Sequence, residues 1–249
     1  MSLEEKLITL LASNHSTNNL TWEEVAPFID LTLLNEKATT IEIADIIATA
    51  QQEKVAAICV LPKHIDLISG AILNAIKRAT VINFPTGEEA HEAVLRAIEA
   101  IITHHQADEI DYVFPYQTYL SGQQALALSR CAEVYQQCKQ NNITFKVILE
   151  TGALPSLDVI YRMSLDVIHS GCDFLKTSTG KIAQGASIPA AFALLSAIVD
   201  SKASCGIKIS GGIRTLGQAD AYLCLAKSMR GIALDSHWFR IGASRRLVD

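Results

Sequence analysis

The chain has 249 residues, 49% of them hydrophobic and 6% aromatic, and carries a formal charge of −5. That length suits one undivided α/β barrel as well as two smaller domains, and the low aromatic share suits a core of Ala, Ile, Leu and Val under helices. The negative balance removes the general electrostatic case for a nucleic-acid partner, and no apolar run reaches the ~18 residues that would predict a membrane span.

Six cysteines (Cys59, Cys131, Cys138, Cys172, Cys205 and Cys224) are scattered without a CxxC pair. The opening MSLEEKLITLLAS lacks the basic stretch and small-residue cleavage site of a signal peptide, so reduced thiols in a cytoplasmic protein are expected.

Residues 3–12 have the periodicity of a short amphipathic helix. The polar stretch SNHSTNN follows as a loop, and Thr21 with Glu24 forms a capping box that opens a second short helix. Together, residues 1–28 are expected to form a helical extension packed on the main repeat. From Ile29 onward short apolar runs alternate with helical segments. The predicted strands are IDLTL (29–33), AAICVL (56–61), TVINF (80–84), EIDYVF (109–114), FKVILE (145–150), DFLKTS (173–178), GIKIS (206–210) and FRIGAS (239–244). Helical periodicity occupies 40–53, 63–76, 88–105, 122–140, 157–170, 188–201 and 216–229. Thr39 and Glu42 make another capping box. Asn141-Asn142, Gly171 and Gly231 stand where helix C-caps belong.

Eight strands, seven helices and no Pro/Gly/Ser-rich linker predict a single (β/α)8 TIM barrel over residues 1–249. A doubly wound sheet is the competitor, but eight near-equal units favour closure. Only Arg245 to Asp249 follow the last strand, so the final helix is expected to be truncated to one turn at most.

In such barrels the chemistry gathers at the C-terminal ends of the strands. The polar residues there are Asp30 and Thr32, Cys59, Asp111, Lys146, Lys176 and Lys208, followed by Gly180, Lys181, Gly211, Gly212, Gly242 and Ser244. Alternation places Lys208 on one side with Gly206 and Ser210, and Lys176 with Phe174 and Ser178. Small inward neighbours leave room for a ligand. A lone strand-end lysine commonly snorkels to solvent. Two in one barrel mouth have a chemical use: a second positive charge ~5 Å away, at an effective dielectric of ~20, lowers a lysine pKa by roughly two units. One lysine then becomes a nucleophile towards a carbonyl while the other stays charged. Asp111, set in apolar EIDYVF, is either a proton shuttle with a raised pKa or the ion-pair partner of these lysines. Cys59 is either a small core residue or a pocket thiol. SGGIRT and GAS put glycine amides where such barrels bind phosphate, and Lys181 or Arg245 would add charge-assisted bonds.

The stretches ADEIDYVFPY, FKVILETG, DFLKTSTGK, IKISGGIRT and FRIGAS, in this order and spacing, resemble the deoxyribose-phosphate aldolase family. IDLTLL, AAICVLP and TVINFPTG extend the resemblance, which covers roughly Ile29 to Ser244. It implies a class I aldolase that reversibly cleaves 2-deoxy-D-ribose 5-phosphate to acetaldehyde and D-glyceraldehyde 3-phosphate in deoxyribonucleotide catabolism. Lys176 is then the Schiff-base lysine, Lys208 the lysine that lowers its pKa, and Asp111 the proton donor and acceptor. Lys146 and Asp30 orient that network, Thr179 and Cys59 belong to the pocket, and Gly180, Lys181, Gly211, Gly212, Gly242 and Ser244 form the phosphate cradle. No cofactor and no metal are implied, and the seven histidines show no HxH or HExxH cluster. Members of the family are often homodimers, and the partner that the resemblance implies is a small-molecule phosphosugar substrate, with no nucleic acid and no membrane.

Ile209-Ser210 stands where the family commonly has Pro-Ala, and Arg245 where a second serine is frequent. The sequence ends at Asp249 without the tyrosine-ended tail of some members. The competing readings are a transaldolase-like Schiff-base barrel acting on another phosphosugar, and a phosphosugar-binding barrel without catalysis.

Overall fold

Eight parallel strands follow one another around a closed barrel in chain order, and the first pairs with the last. They are β1 (Ile29–Leu33), β2 (Ala57–Val60), β3 (Lys77–Ile82), β4 (Glu109–Val113), β5 (Thr144–Ile148), β6 (Phe174–Lys176), β7 (Gly206–Ser210) and β8 (Phe239–Ala243). The structure is a computed structural model and describes residues 2–13, 20–69, 75–104 and 107–249. The expected loop at 14–19, most of the second half of the helix expected at 63–76, and residue 105 lie outside the described residues.

The helices are α1 (Leu3–Ser13), α2 (Trp22–Val25), α3 (Thr40–Glu53), α4 (Ile65–Ser69), α5 (His91–Thr103), α6 (Tyr116–Leu120), α7 (Gln124–Gln140), α8 (Leu157–Ser170), α9 (Ile188–Ser201) and α10 (Leu216–Arg230). Both predicted capping boxes form, at Thr21 and at Thr39. Gly171 and Gly231 take the C-cap positions with positive φ. The segment expected as one helix over 122–140 begins only at Gln124. Gly122, at φ +93°, breaks it from the unexpected α6.

Several strand boundaries differ from expectation, most by one or two residues. β3 begins at Lys77 rather than Thr80, and β6 ends at Lys176 rather than Ser178. Beyond Lys176 a side chain takes over the ladder: Thr177 Oγ1 donates to the Ser210 carbonyl and accepts from the Ser210 N–H, both at 3.0 Å. The truncated final helix does not form among the described residues. Instead Val248 bridges Thr215, with its carbonyl accepting from Leu216 N–H (2.8 Å), and Leu247 is buried. Extended pairing satisfies the backbone there, so one helical turn has nothing to add.

Strand alternation divides the barrel into two environments. Outward residues such as Ile58, Val60, Ile110, Val147, Leu175, Ile207 and Ile209 join the apolar stripes of the helices in one core. α9 is buried along Ala190–Ile198 because α1, α8 and α10 flank it, which is why an extra N-terminal helix with a buried Leu7 is useful to this sequence. Inside the barrel, β2 and β3 contribute a small apolar cluster of Ala57, Cys59, Leu61, Ala79 and Val81. The other strands fill the interior with charge. Among the described residues no helix is long and apolar enough to cross a membrane.

Candidate active site

Six strands each turn at least one ionisable side chain inward, and all seven are buried: Asp30 (β1), Glu109 and Asp111 (β4), Lys146 (β5), Lys176 (β6), Lys208 (β7) and Arg240 (β8). Burying an unpaired charge in a barrel interior costs several kcal/mol, so such a set persists only when every member is paired. Here each is. Asp111 Oδ2 accepts from Lys176 Nζ at 2.8 Å and from Lys208 Nζ at 2.7 Å, while its Oδ1 accepts from Lys146 Nζ at 3.0 Å. Lys146 also bonds Glu109 and lies 3.7 Å from Asp30. Lys208 Nζ sits 2.6 Å from Asp30 Oδ2, an ion pair outside hydrogen-bond angles. Arg240 donates to Asp30 Oδ1 (2.6 Å) and Glu109 Oε1 (3.0 Å).

The interior therefore holds three carboxylates against four basic side chains. Lys146 and Lys208 each meet two or more carboxylates; among the described residues Lys176 is ion-paired only with Asp111, and shares it. Protonation follows this inequality. Burial disfavours the charge on all three lysines, but carboxylate neighbours more than offset it for Lys146 and Lys208, whose pKa values rise. For Lys176 burial, reinforced by the Lys208 ammonium, outweighs the single pull of Asp111, and its pKa falls. Burial and the second lysine both act in the expected direction, and of the two desolvation is the larger cause.

The raised pKa expected for Asp111 is overturned. Burial does push that carboxyl up, but Lys146, Lys176 and Lys208 together hold it well below the usual range. Asp30 is likewise lowered, burial being outweighed by Lys208, Arg240 and Lys146.

Above the network, at the C-terminal mouth, lies a cavity of about 380 Å³. Lys176 is the one member of the charged set that lines it. Thr179, Gly180, Lys181, Gly211, Gly212, Gly242 and Ser244 line it too, so the expected cradle residues come together. Gly180, Gly211 and Gly212 have φ of +75°, +94° and +87°, where side-chain-bearing residues are strained. Gly242 is needed for closeness: a Cβ there would stand 2.9 Å from Ser210 Cβ. Lys181 Nζ donates to the Leu34 carbonyl at 2.6 Å, so the ammonium is tethered across the mouth. Arg245 is exposed and does not line the cavity; Arg214 does. Cys59 is buried on the apolar side of the barrel, its thiol pushed up to about 11, chiefly by burial. Asp30, Lys146, Asp111, Lys208 and Cys59 stand beneath the cavity rather than around it.

Several residues of the site were not anticipated. Glu109 and Arg240 share faces with Asp111 and Gly242 by strand alternation, a signal present in the sequence but applied only to strand ends. Glu150, after β5 at φ +52°, bonds the Thr179 hydroxyl and accepts from the Thr179 N–H at 3.2 Å. Burial raises its pKa. A second hollow of about 570 Å³ opens at the opposite end, lined in part by Glu109 and Arg240 but not by Lys176. No group of three or more His, Cys, Asp or Glu side chains is arranged to hold a metal among the described residues.

The profile of the DeoC/LacD family aldolases matches residues 25–234. This chain belongs to the DeoC/LacD aldolase family. The aldolase is 39% identical over 230 residues to a deoxyribose-phosphate aldolase from Agrobacterium fabrum, covering 89% of this chain and 86% of that protein. A deoxyribose phosphate aldolase from Aeropyrum pernix, described as a tetramer, has 25% identity and a TM-score of 0.74 over 98% of this chain and 94% of its own. A crystal structure from Coccidioides immitis, 23% identical, shares the aldolase's barrel at a TM-score of 0.80, covering 98% and 94%.

Proposed function

We propose that this chain, working as one barrel with its N-terminal helices packed on it, is a class I deoxyribose-phosphate aldolase of deoxyribonucleotide catabolism. The observation that carries this reading is Lys176: a buried lysine with a lowered pKa that alone connects the charged interior to the cavity. Its neutral amine adds to C1 of 2-deoxy-D-ribose 5-phosphate, and loss of water leaves a protonated imine. A two-carbon product requires that C2–C3 be the bond broken. The C3 hydroxyl gives up its proton, C3 becomes the aldehyde of D-glyceraldehyde 3-phosphate, and the bond's electron pair moves into the imine as an enamine. Protonation at C2 and hydrolysis release acetaldehyde. The iminium is the electron sink, so the route calls for no metal or cofactor.

Asp111 suits a relay rather than a reservoir for these protons. Held low, it carries a proton only in passing, between Lys176 and Lys208, which both reach its Oδ2. Lys146 and Asp30 hold it in place. The glycine cradle, with Ser244, Lys181 and Arg214, supports the phosphate end, and Thr179 the sugar. The same reading carries a cytoplasmic location and a homodimer.

Borohydride reduction with 2-deoxyribose 5-phosphate, followed by peptide mass mapping, tests it. The expected adduct is on Lys176 and absent from Lys176→Ala. An adduct on Lys208 alone would reverse the assignment.

A further inference from the structure

Arg240 and Glu109 stand at the end of the barrel away from the cavity, where both border the second hollow. All of the Arg240 fork is engaged: Nη1 with Asp30, Nη2 with Glu109, and Nε with the Ser236 carbonyl. The other Glu109 oxygen takes the Lys146 ammonium. Neither residue lines the cavity that Lys176 reaches.

We propose that Arg240 and Glu109 are positioning residues for the reaction at Lys176: the charges they lock into the barrel floor decide whether the Lys176 amine keeps its proton. The inference rests on Lys176 being the imine-forming lysine.

The reasoning is a charge count. With the seven paired groups of the interior all ionised there is one positive charge too many, Glu150 at the mouth being bonded to Thr179 and not to an ammonium, and a poorly solvated interior sheds that excess where it is least compensated. Arg240 cannot release a proton. Lys146 and Lys208 each meet at least two carboxylates, so the proton leaves from Lys176. Neutralising Arg240 leaves three positive against three negative charges, and Lys176 retains its proton. Neutralising Glu109 leaves four against two, and Lys176 releases it more readily. The groups that act on Lys176 from the elements around it are Asp111 on β4, Lys208 on β7, Cys59 on β2 and Glu150 after β5, with Lys146 on β5 and Asp30 on β1 completing the set. None of them is altered in either variant. At a separation on the order of 10 Å and an effective dielectric of ~20, one charge is worth about one pKa unit, or about tenfold in the neutral fraction.

The test is reductive alkylation of Lys176 by propanal and cyanoborohydride, followed by peptide mass across pH, in the wild type, Arg240→Met, Arg240→Lys and Glu109→Gln. Folding is checked by circular dichroism and melting. Arg240→Met is expected to raise the apparent pKa by about one unit and to slow labelling near neutral pH about tenfold, and Glu109→Gln to lower it by a similar amount. Arg240→Lys, which keeps the charge, stays within about 0.3 unit of the wild type. Residues with only a structural role would, when changed, loosen the barrel, admit water and move both neutralised variants upward together. Shifts of one sign, or none beyond about 0.3 unit, overturn the proposal. Should Arg240→Met not fold, a downward shift in Glu109→Gln with none in Arg240→Lys is required. Failure of the Lys176 assignment is distinct: the wild type itself would then be labelled at another lysine.

Discussion

Lys176 and Lys208 are register partners on adjacent strands, and both ammonium nitrogens reach one oxygen, Asp111 Oδ2, at 2.8 and 2.7 Å. Two like charges are thereby held on a common anion. The carboxylate offsets part of their repulsion, and of the two only Lys208 also meets a second carboxylate, Asp30. This asymmetry makes two chemically identical side chains behave differently.

Lys208→Leu tests both sides of that arrangement. The substitution removes from the buried Asp30 and Asp111 one of the two lysines that they share, which is expected to cost about 3–5 kcal/mol and to lower the melting temperature. Turnover near neutral pH should fall with it. Adding Asp30→Asn is expected to recover much of the melting temperature but little of the turnover. A single variant as stable and as active as the wild type would contradict the ion-pair account.

Asp111→Asn keeps the shape of the carboxylate but cannot relay a proton. We expect kcat to drop by about 10²–10⁴. KM for the phosphorylated sugar should stay within a few-fold, because Asp111 does not line the cavity. Steady-state kinetics in both directions measures this, and a loss confined to KM would place Asp111 in binding instead.

Acid should unfold the protein through the same network. Asp30 and Asp111 have folded-state pKa values below the ordinary aspartate value, so their stabilising contribution is fully present above that value. It declines as the pH falls through about 4 towards the depressed folded-state values. Urea midpoints between pH 6 and pH 3 should therefore fall steeply at the acid end, and less steeply in Asp111→Asn. Equal slopes for the two proteins would show that other carboxylates govern acid unfolding.

Gly212→Ala separates phosphate binding from catalysis. A Cβ at this position meets nothing within 4 Å, so only the φ of +87° is penalised, at about 1–3 kcal/mol. Relaxation of the loop should raise KM for 2-deoxyribose 5-phosphate while leaving kcat/KM for unphosphorylated 2-deoxyribose nearly unchanged. Gly211→Ala is expected to do more damage, since its Cβ would stand 3.0 Å from the Gly185 Cα.

Much of the fold can be read from residue order. The two-residue period of GIKIS and EIDYVF shows which side chains share a face, and capping boxes at Thr21 and Thr39 mark helix starts where they occur. The same period, followed from Asp111 to Glu109 and from Gly242 to Arg240, reaches the barrel floor as well. The misplaced helix start at Gln124 and the extended Arg245–Asp249 segment were less accessible. They depend on a positive φ at Gly122 and on backbone partners at Arg214 and Leu216.

Local periodicity was enough to establish a closed βα repeat with lysines on its fifth, sixth and seventh strands. It could not tell which lysine gives up its proton, or that Asp111 is held low rather than raised. Those outcomes depend on distances between residues 65 and 97 positions apart, such as Lys176 and Lys208 from Asp111. Coulomb energy follows separation in space and local hydration, and neither is defined until the barrel closes.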